Sequence, residues 1–145
     1  MVLSELYEKI VDFSISKERV FIYGAGNIGR ALYALLISRD VCPNGFIQTT
    51  TRKQYEMNGC RIHLYDEIKS QLTNQDGIIL ALSDKYHAEV LDLMKDFNGR
   101  VLRLEMFELK AVLGFWVYNE NWDEKKNKEI SRDLWELEEK KKAVL

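Results

Sequence analysis

Cysteine, proline and long apolar runs are scarce in this sequence, and each shortage excludes a class of protein. The two cysteines, Cys42 and Cys60, are far apart and outside any C-x-x-C pattern, so they predict neither a disulfide scaffold nor a zinc knuckle. A single proline in 145 residues, 46% of them hydrophobic, excludes collagen-like and disordered chains. No apolar run approaches the roughly 18 residues that span a bilayer, so we expect no signal peptide, membrane anchor or membrane insertion.

An excess of charge of one sign is also missing. Lys and Arg number 21 against 23 Asp and Glu, which gives a formal net charge of -2. Without a global basic field we expect no nucleic-acid partner, and any anion site has to be local. Two histidines and two distant cysteines make no recognisable metal set, so we predict no metal. Sparse cysteines outside any disulfide pattern favour a reducing, cytoplasmic location.

Five short apolar stretches, four of them preceded by an Asn-Gly or Asp-Gly pair, predict strands. They are residues 20–23, 46–47, 60–62, 78–82 and 101–102. Between them, apolar residues at helical spacing predict one helix from Asn27 to Ser38, a short one near residues 66–72, and one after the fourth strand with Ser83 or Asp84 as its cap. This alternation predicts an α/β, three-layer Rossmann-like fold of about five mostly parallel strands in the order 3-2-1-4-5, with flanking N- and C-terminal helices.

The chain divides into two predicted parts. Residues 1–118 form the Rossmann-like domain, and residues 119–145 form a charged C-terminal helix that serves packing, oligomerisation or linkage. The segment 107–118 is rich in aromatic residues. It either mediates homo-oligomerisation or docking to a catalytic domain, or covers the open edge of the sheet.

The strongest chemical signal is a G-x-G-x-x-G pattern that follows the first strand and opens the first amphipathic helix of the sheet. The first glycine of this pattern permits a tight turn, the second lets a pyrophosphate approach, and the third lets helix and strand pack closely. Free amides at the helix start attract an anion, and a cation in the first turn could reach a phosphate. The predicted phosphate-binding residues are Gly24, Gly26, Asn27, Ile28, Gly29 and Arg30. Close packing without a ligand requires the same glycines, so that alternative stays open.

The order of the segments FIYGAGNIGRALYALL, NGFIQT, NGCRIHLYDEI and DGIILALSDKYHAEVLDLM resembles small Rossmann-like domains of bacterial surface-polysaccharide biosynthesis proteins. Such domains occur in nucleotide-sugar-modifying dehydratases and acyltransferases, and beside glycosyltransferase or FkbM-type methyltransferase domains. The resemblance covers about residues 20–104 and implies a nucleotide-binding module of polysaccharide or glycoconjugate biosynthesis, with the nucleotide at Gly24, Gly26 and Gly29. It does not name a reaction.

The end of the second predicted strand departs from the pattern of this family. Related domains often carry an acid there that holds the adenosine ribose, whereas this chain has Gln48 and Thr49, followed by Thr50, Thr51, Arg52 and Lys53. Gln48 or Thr49 can still hydrogen-bond a ribose, and Arg52 and Lys53 could accept a 2′-phosphate. We therefore expect NADP rather than NAD if a dinucleotide binds, with a nucleotide sugar as the alternative. The segment could equally be a solvated loop.

Two further groups of residues suggest catalysis without establishing it. Ser83 and His87 follow the fourth strand, at the edge where ligands of α/β sheets bind, so Ser83 could approach a ribose or nicotinamide and His87 could act as an acid–base group. The alternative places Ser83 in a helix cap and His87 on a helix flank. Tyr65 and Lys69 show the Y-x-x-x-K spacing of short-chain dehydrogenases, which chance alone explains.

We therefore predict no catalytic residue. The leading hypothesis is a nucleotide-binding module that is not catalytic alone. If it takes part in an enzyme, that enzyme is an NAD(P)-dependent oxidoreductase or a nucleotide-sugar-modifying enzyme that needs a partner domain. The alternative is a degenerate Rossmann-like domain that acts in regulation or oligomerisation.

Overall fold

The computed structural model describes residues 3–50 and 54–117, which form one sheet with helices on both faces. The helices are α1 (Leu3–Ile15), α2 (Asn27–Ser38), α3 (Tyr65–Ile68), α4 (His87–Leu93) and α5 (Met106–Val117). The strands are β1 (Arg19–Tyr23), β2 (Gly45–Gln48), β3 (Glu56–Met57), β4 (Cys60–Leu64), β5 (Asp76–Leu80) and β6 (Arg100–Arg103). Single 3-10 turns follow α3 at Lys69–Gln71 and precede α4 at Asp84–Tyr86.

The strands lie in the order β3-β4-β2-β1-β5-β6. All neighbours pair in parallel except β3 and β4, which are antiparallel. The predicted α/β class is confirmed, and the five predicted strands correspond to β4, β2, β1, β5 and β6 in the predicted order. Strand β3 was not predicted, because two residues are too few to show a strand pattern. Asn58 and Gly59, both with positive φ, form the hairpin turn that joins β3 to β4.

Strand β1 occupies the centre of the sheet because it pairs with β2 on one side and with β5 on the other. All five residues of β5 are buried, as expected of a continuous apolar run that is covered on both faces. The chain therefore leaves β1 toward β2 and returns on the opposite side as β5. Ligands of open α/β sheets bind where the strand order reverses in this way, outside the carboxyl ends of the strands.

Two hydrophobic clusters cover the two faces of the sheet. One joins the sheet to α1, α2 and α5, and the other joins it to α3 and α4. The hydroxyl of Tyr7 in α1 donates to the carbonyl of Val112 in α5 at 3.2 Å, so these two helices are also tied to each other. In α5, Leu109, Val112 and Leu113 are buried. The predicted aromatic segment therefore packs on its own domain through these three residues, whereas the predicted charged helix of residues 119–145 lies outside the described residues.

An ion pair fastens the amino ends of the two central strands. The guanidinium of Arg19 at the start of β1 donates to both carboxylate oxygens of Asp76 at the start of β5, at 3.0 and 2.8 Å. Asp76 is fully buried and also accepts the backbone amide of Thr73 at 2.8 Å. The hydrogen bond with Asp76 raises the pKa of Arg19. This pair lies at the end of the sheet opposite the candidate site.

Candidate functional site

A cleft of about 430 Å³ opens at the carboxyl ends of the three central strands. We call it the glycine-loop cleft. Its lining comes from the loop between β1 and α2, the end of β2 and the segment after β5, with one residue from α5. The lining residues are Tyr23, Gly24, Ala25, Gly26, Asn27, Ile28, Ile47, Gln48, Thr49, Thr50, Ala81, Leu82, Ser83, Tyr86 and Met106. The cleft therefore brings together most of the predicted nucleotide-binding residues.

The start of α2 faces this cleft with unsatisfied backbone donors. Gly26 is the N-cap, it offers no side-chain cap, and its carbonyl accepts the amide of Arg30 at 3.0 Å. Because the first intrahelical bond begins there, the amides of Asn27, Ile28 and Gly29 have no carbonyl partner within the helix. Together with the helix dipole, these amides favour a bound anion.

Different physical reasons explain why glycine occupies each of the three positions of the loop. Gly24 has φ of +120°, and a Cβ there would lie 2.6 Å from the carbonyl oxygen of Ala81. A Cβ on Gly29 would overlap the carbonyl oxygen of Gly24, so these two positions need glycine for the packing of α2 against the sheet. Gly26 has φ of -95°, which any residue adopts, and no atom of residues 3–50 or 54–117 lies within 4 Å of its Cβ position. The packing of these residues therefore does not require glycine at Gly26.

Of the cations predicted to assist phosphate binding, Arg30 is the one that lies within the described residues. Arg30 lies on α2, where its Nη2 donates to Asn27 Oδ1 at 3.3 Å, and it is not one of the lining residues. Arg52 and Lys53 lie outside the described residues. The described lining contains no charged side chain. An anion in the cleft would therefore be bound by backbone amides and by the helix dipole.

The end of β2 supplies polar groups to the cleft, as the sequence predicts. Thr49 Oγ1 lies 2.7 Å from the hydroxyl oxygen of Tyr23, and burial raises the pKa of Tyr23, so the phenol keeps its proton. The amide oxygen Oε1 of Gln48 is inaccessible to water and has no hydrogen-bond partner. The sequence analysis identified Gln48 and Thr49 but not Tyr23, which it treated only as a strand residue.

The segment after β5 corrects the expected helix caps. Ser83 lines the cleft and occupies the predicted N-cap position before the 3-10 turn Asp84–Tyr86, but its side chain makes no capping hydrogen bond there. Asp84 caps a different helix from the one expected, because its Oδ1 accepts the amide of Met106 at the start of α5 at 2.7 Å. This contact joins the loop after β5 to α5 and places Met106 beside the cleft.

His87 is buried at the start of α4, in agreement with the alternative that gives it a structural place on a helix. Arg103 Nε donates to His87 Nδ1 at 2.9 Å, and His87 Nε2 lies 3.1 Å from the carbonyl oxygen of Leu82. A guanidinium can only donate, so Nδ1 carries no proton and Nε2 donates to Leu82. With both nitrogens bonded inside the protein, the ring links the segment after β5 to the end of β6.

Tyr65 and Lys69 do not form a catalytic pair. The ring of Tyr65 is buried under the sheet, with its centroid 6.3 Å from that of Tyr23, and burial raises its pKa. Proton transfer by a tyrosine requires the opposite shift. The ammonium of Lys69 lies 3.3 Å from a carboxylate oxygen of Asp66, and neither Tyr65 nor Lys69 lines the cleft.

Tyr86 and Met106 complete the polar and apolar lining of the cleft. Tyr86 follows the fourth predicted strand together with Ser83, at the edge where ligands are expected, and it is 45% exposed. Met106 reaches the cleft from α5, and no local pattern indicates this. A second pocket of about 330 Å³ shares Thr49, Thr50, Leu82 and Tyr86 with the cleft and is also lined by Glu89 and Val90.

Within residues 3–50 and 54–117, no three His, Cys, Asp or Glu side chains are grouped closely enough to hold a metal ion. No helix in the same part of the chain is both long and apolar enough to cross a bilayer. Searches against protein-family models, curated proteins and solved structures found no match to the chain.

Proposed function

We propose that this chain is a nucleotide-binding Rossmann-like module that holds the pyrophosphate of NAD(P) or of a nucleotide sugar at the start of α2. The observation that carries the proposal is the environment of Gly26. Its φ suits any residue and no atom of the described residues lies within 4 Å of its Cβ position, while Gly26, Asn27 and Ile28 all line the cleft. A ligand bound at the amides of Asn27 and Ile28 would explain glycine at this position, which packing does not.

The chemistry of the lining suits a dinucleotide-sized ligand held mainly by neutral groups. The volume of about 430 Å³ lies within the usual range for small-molecule sites, roughly 300–1,000 Å³. Because the described lining has no charged side chain, the pyrophosphate would be bound by backbone amides and the helix dipole, which amounts to about half an elementary charge. We therefore expect weaker binding than at sites with an arginine or lysine clamp.

The module is proposed to bind rather than to catalyse by itself. His87 is bonded at both ring nitrogens, Tyr65 is buried away from the cleft, and Lys69 pairs with Asp66. Ser83 is the candidate polar side chain that still faces the cleft after β5. Chemistry on the bound nucleotide would then need groups from a partner domain, in keeping with the oxidoreductase or nucleotide-sugar-modifying systems that the resemblance implies.

A role in bacterial polysaccharide or glycoconjugate biosynthesis completes the proposal. It rests on the order of the sequence motifs over residues 20–104. The preference for NADP rests on Arg52 and Lys53 and stays a prediction.

A second candidate function is that of a degenerate domain that serves regulation or oligomerisation. Packing alone accounts for Gly24 and Gly29, so two of the three loop glycines would be required even if the domain bound no ligand. On this hypothesis a side chain at Gly26 would change nothing.

Calorimetric titration separates the two candidates. The wild type, Gly26→Val and Gly114→Val are titrated with NAD, NADP and a UDP-sugar. Gly114 is the matched control, because its Cβ position in α5 is also empty and it lies outside the cleft. We expect the wild type and Gly114→Val to bind one of the ligands and Gly26→Val to lose it. If the wild type binds none at millimolar concentration, or Gly26→Val binds as well as wild type, the proposed function is wrong.

A further inference from the structure

The two cysteines of the chain, which are far apart in the sequence, meet at one backbone carbonyl. The thiol of Cys42 donates to the carbonyl oxygen of Pro43 at 3.8 Å, and the thiol of Cys60 donates to the same oxygen at 3.6 Å. Since both sulfurs contact one common atom, the distance between them cannot exceed the sum of these two distances. The folded chain therefore brings together two thiols whose sequence spacing does not indicate a pair.

The pairing of β2 with β4 explains why the cysteines meet. Cys60 is the first residue of β4, and Cys42 shortly precedes β2, which begins at Gly45. The two strands are parallel neighbours, with Phe46 opposite Ile62, so both cysteines lie at the amino ends of adjacent strands. Neighbouring strands are about 4.8 Å apart, within the range of about 4.4–6.8 Å that a disulfide spans between Cα atoms. A disulfide at this place is therefore compatible with the spacing of the sheet.

The two sulfurs differ in their access to water, which suits a stepwise oxidation. Cys42 is exposed, in the segment that connects α2 to β2, whereas Cys60 is partly buried and packs against the hydrophobic core. A dissolved oxidant reaches the exposed thiol first, and a second thiol beside it can then displace the added oxygen. Rotation of the exposed Cys42 side chain brings its sulfur toward the bond length of about 2.05 Å.

We propose that Cys42 and Cys60 form a redox-sensitive pair, which a peroxide converts into an intramolecular disulfide. The Cys42 sulfur attacks hydrogen peroxide, so an S–O bond forms, the O–O bond breaks and one water leaves. The Cys60 sulfur then attacks the Cys42 sulfur, so the S–S bond forms, the S–O bond breaks and a second water leaves. The two thiols lose two electrons and two protons in total, and one hydrogen peroxide is reduced to two waters.

The proposed disulfide does not depend on the proposed nucleotide-binding function. Cys42 and Cys60 lie at the amino ends of their strands, whereas the glycine-loop cleft opens at the carboxyl ends. The bond would fasten the segment before β2 to the first residue of β4. A thiol reductant such as dithiothreitol would reverse it by thiol–disulfide exchange.

Peptide mapping after mild oxidation tests the pair in the whole chain. Wild-type protein at low micromolar concentration is treated with a small excess of hydrogen peroxide, alkylated with N-ethylmaleimide and digested for mass spectrometry. We expect a monomer that loses both alkylatable thiols and yields a peptide with Cys42 joined to Cys60. Dithiothreitol should restore both thiols. In Cys60→Ser the reaction should stop at the sulfenic acid of Cys42, which dimedone labels.

A double variant that moves the second thiol supplies the matched control. Cys60→Ser combined with Ala88→Cys keeps two cysteines, but Ala88 is exposed on α4, which follows the carboxyl end of β5 at the opposite end of the sheet from Cys42. This variant should form no intramolecular disulfide under the same conditions. The proposal is overturned if the wild type gives only disulfide-linked dimers or sulfinic acids, or if the control closes an intramolecular disulfide as readily as the wild type.

Discussion

Exchanging the glycines of the loop one at a time should separate the residue that serves a ligand from those that serve packing. In Gly29→Ala the new Cβ would overlap the carbonyl oxygen of Gly24, and a backbone atom cannot move aside as a side chain can. Overpacking costs roughly 1–3 kcal/mol, and a rigid neighbour favours the upper end. Alanine regains about 1 kcal/mol through its higher helix propensity. We therefore expect a net loss of about 2 kcal/mol in the free energy of unfolding.

The matched substitution Gly114→Ala should have the opposite sign. Gly114 lies inside α5 with no atom of the described residues within 4 Å of its Cβ position, so we expect only the gain in helix propensity, about 1 kcal/mol. Gly26→Ser should change stability by only a few tenths of a kcal/mol, because serine and glycine are both accepted as N-caps. Its hydroxyl would bond to an amide of the first helical turn, so nucleotide affinity should fall although the fold is intact.

Urea denaturation followed by far-ultraviolet circular dichroism measures these differences, and titration of the same samples measures binding. A Gly29→Ala variant as stable as Gly114→Ala would refute the packing argument for the third glycine. A Gly26→Ser variant that is strongly destabilised would show that the empty space at Gly26 is filled in the folded protein. Either result would remove the distinction on which the proposed function depends.

Two further predictions concern the core. Arg19→Met leaves Asp76 buried without its cation and should lower the free energy of unfolding by about 3–5 kcal/mol. The control Arg100→Met, at an exposed site on β6, should lower it by less than about 0.5 kcal/mol. Urea denaturation of both variants measures the difference. Burial raises the pKa of Tyr65, so above the ordinary tyrosine pKa of about 10 the unfolded chain loses the proton first and stability falls as pH rises toward the folded value. Tyr65→Phe should flatten this decline between pH 9 and 11, and an unchanged slope would contradict it.

The order of the five main strands was predictable because their signals are local. Each is a short apolar run, and the uninterrupted run of residues 78–82 indicates a strand that is covered on both faces. The glycine loop was predictable for the same reason, since its motif, strand and helix are contiguous. Strand β3 was not predictable, because a two-residue strand is defined by its pairing with β4 and not by its own pattern.

The roles of single polar residues were harder to predict because partners far along the chain determine them. The position of His87 after the fourth predicted strand suggested a cleft residue. In the structure its two ring nitrogens bond to Arg103 and to the carbonyl oxygen of Leu82. Asp84 is a residue type that often caps the helix directly after it, but its carboxylate accepts the amide of Met106 instead. For Gln48 the sequence indicated the position, and only the packing around it shows that its oxygen lacks a donor.

The two edges of the sheet limit how copies of this chain can associate. Strand β3 presents two residues at one edge, and β6 presents four at the other, with an arginine at each of its ends. Short edges and edge charges are the usual protection against continuation of a sheet from one molecule into the next. Growth of a shared sheet, and the fibrous aggregation that follows from it, is therefore disfavoured at both sides. Within residues 3–50 and 54–117, the helical faces are the surfaces that carry no such protection.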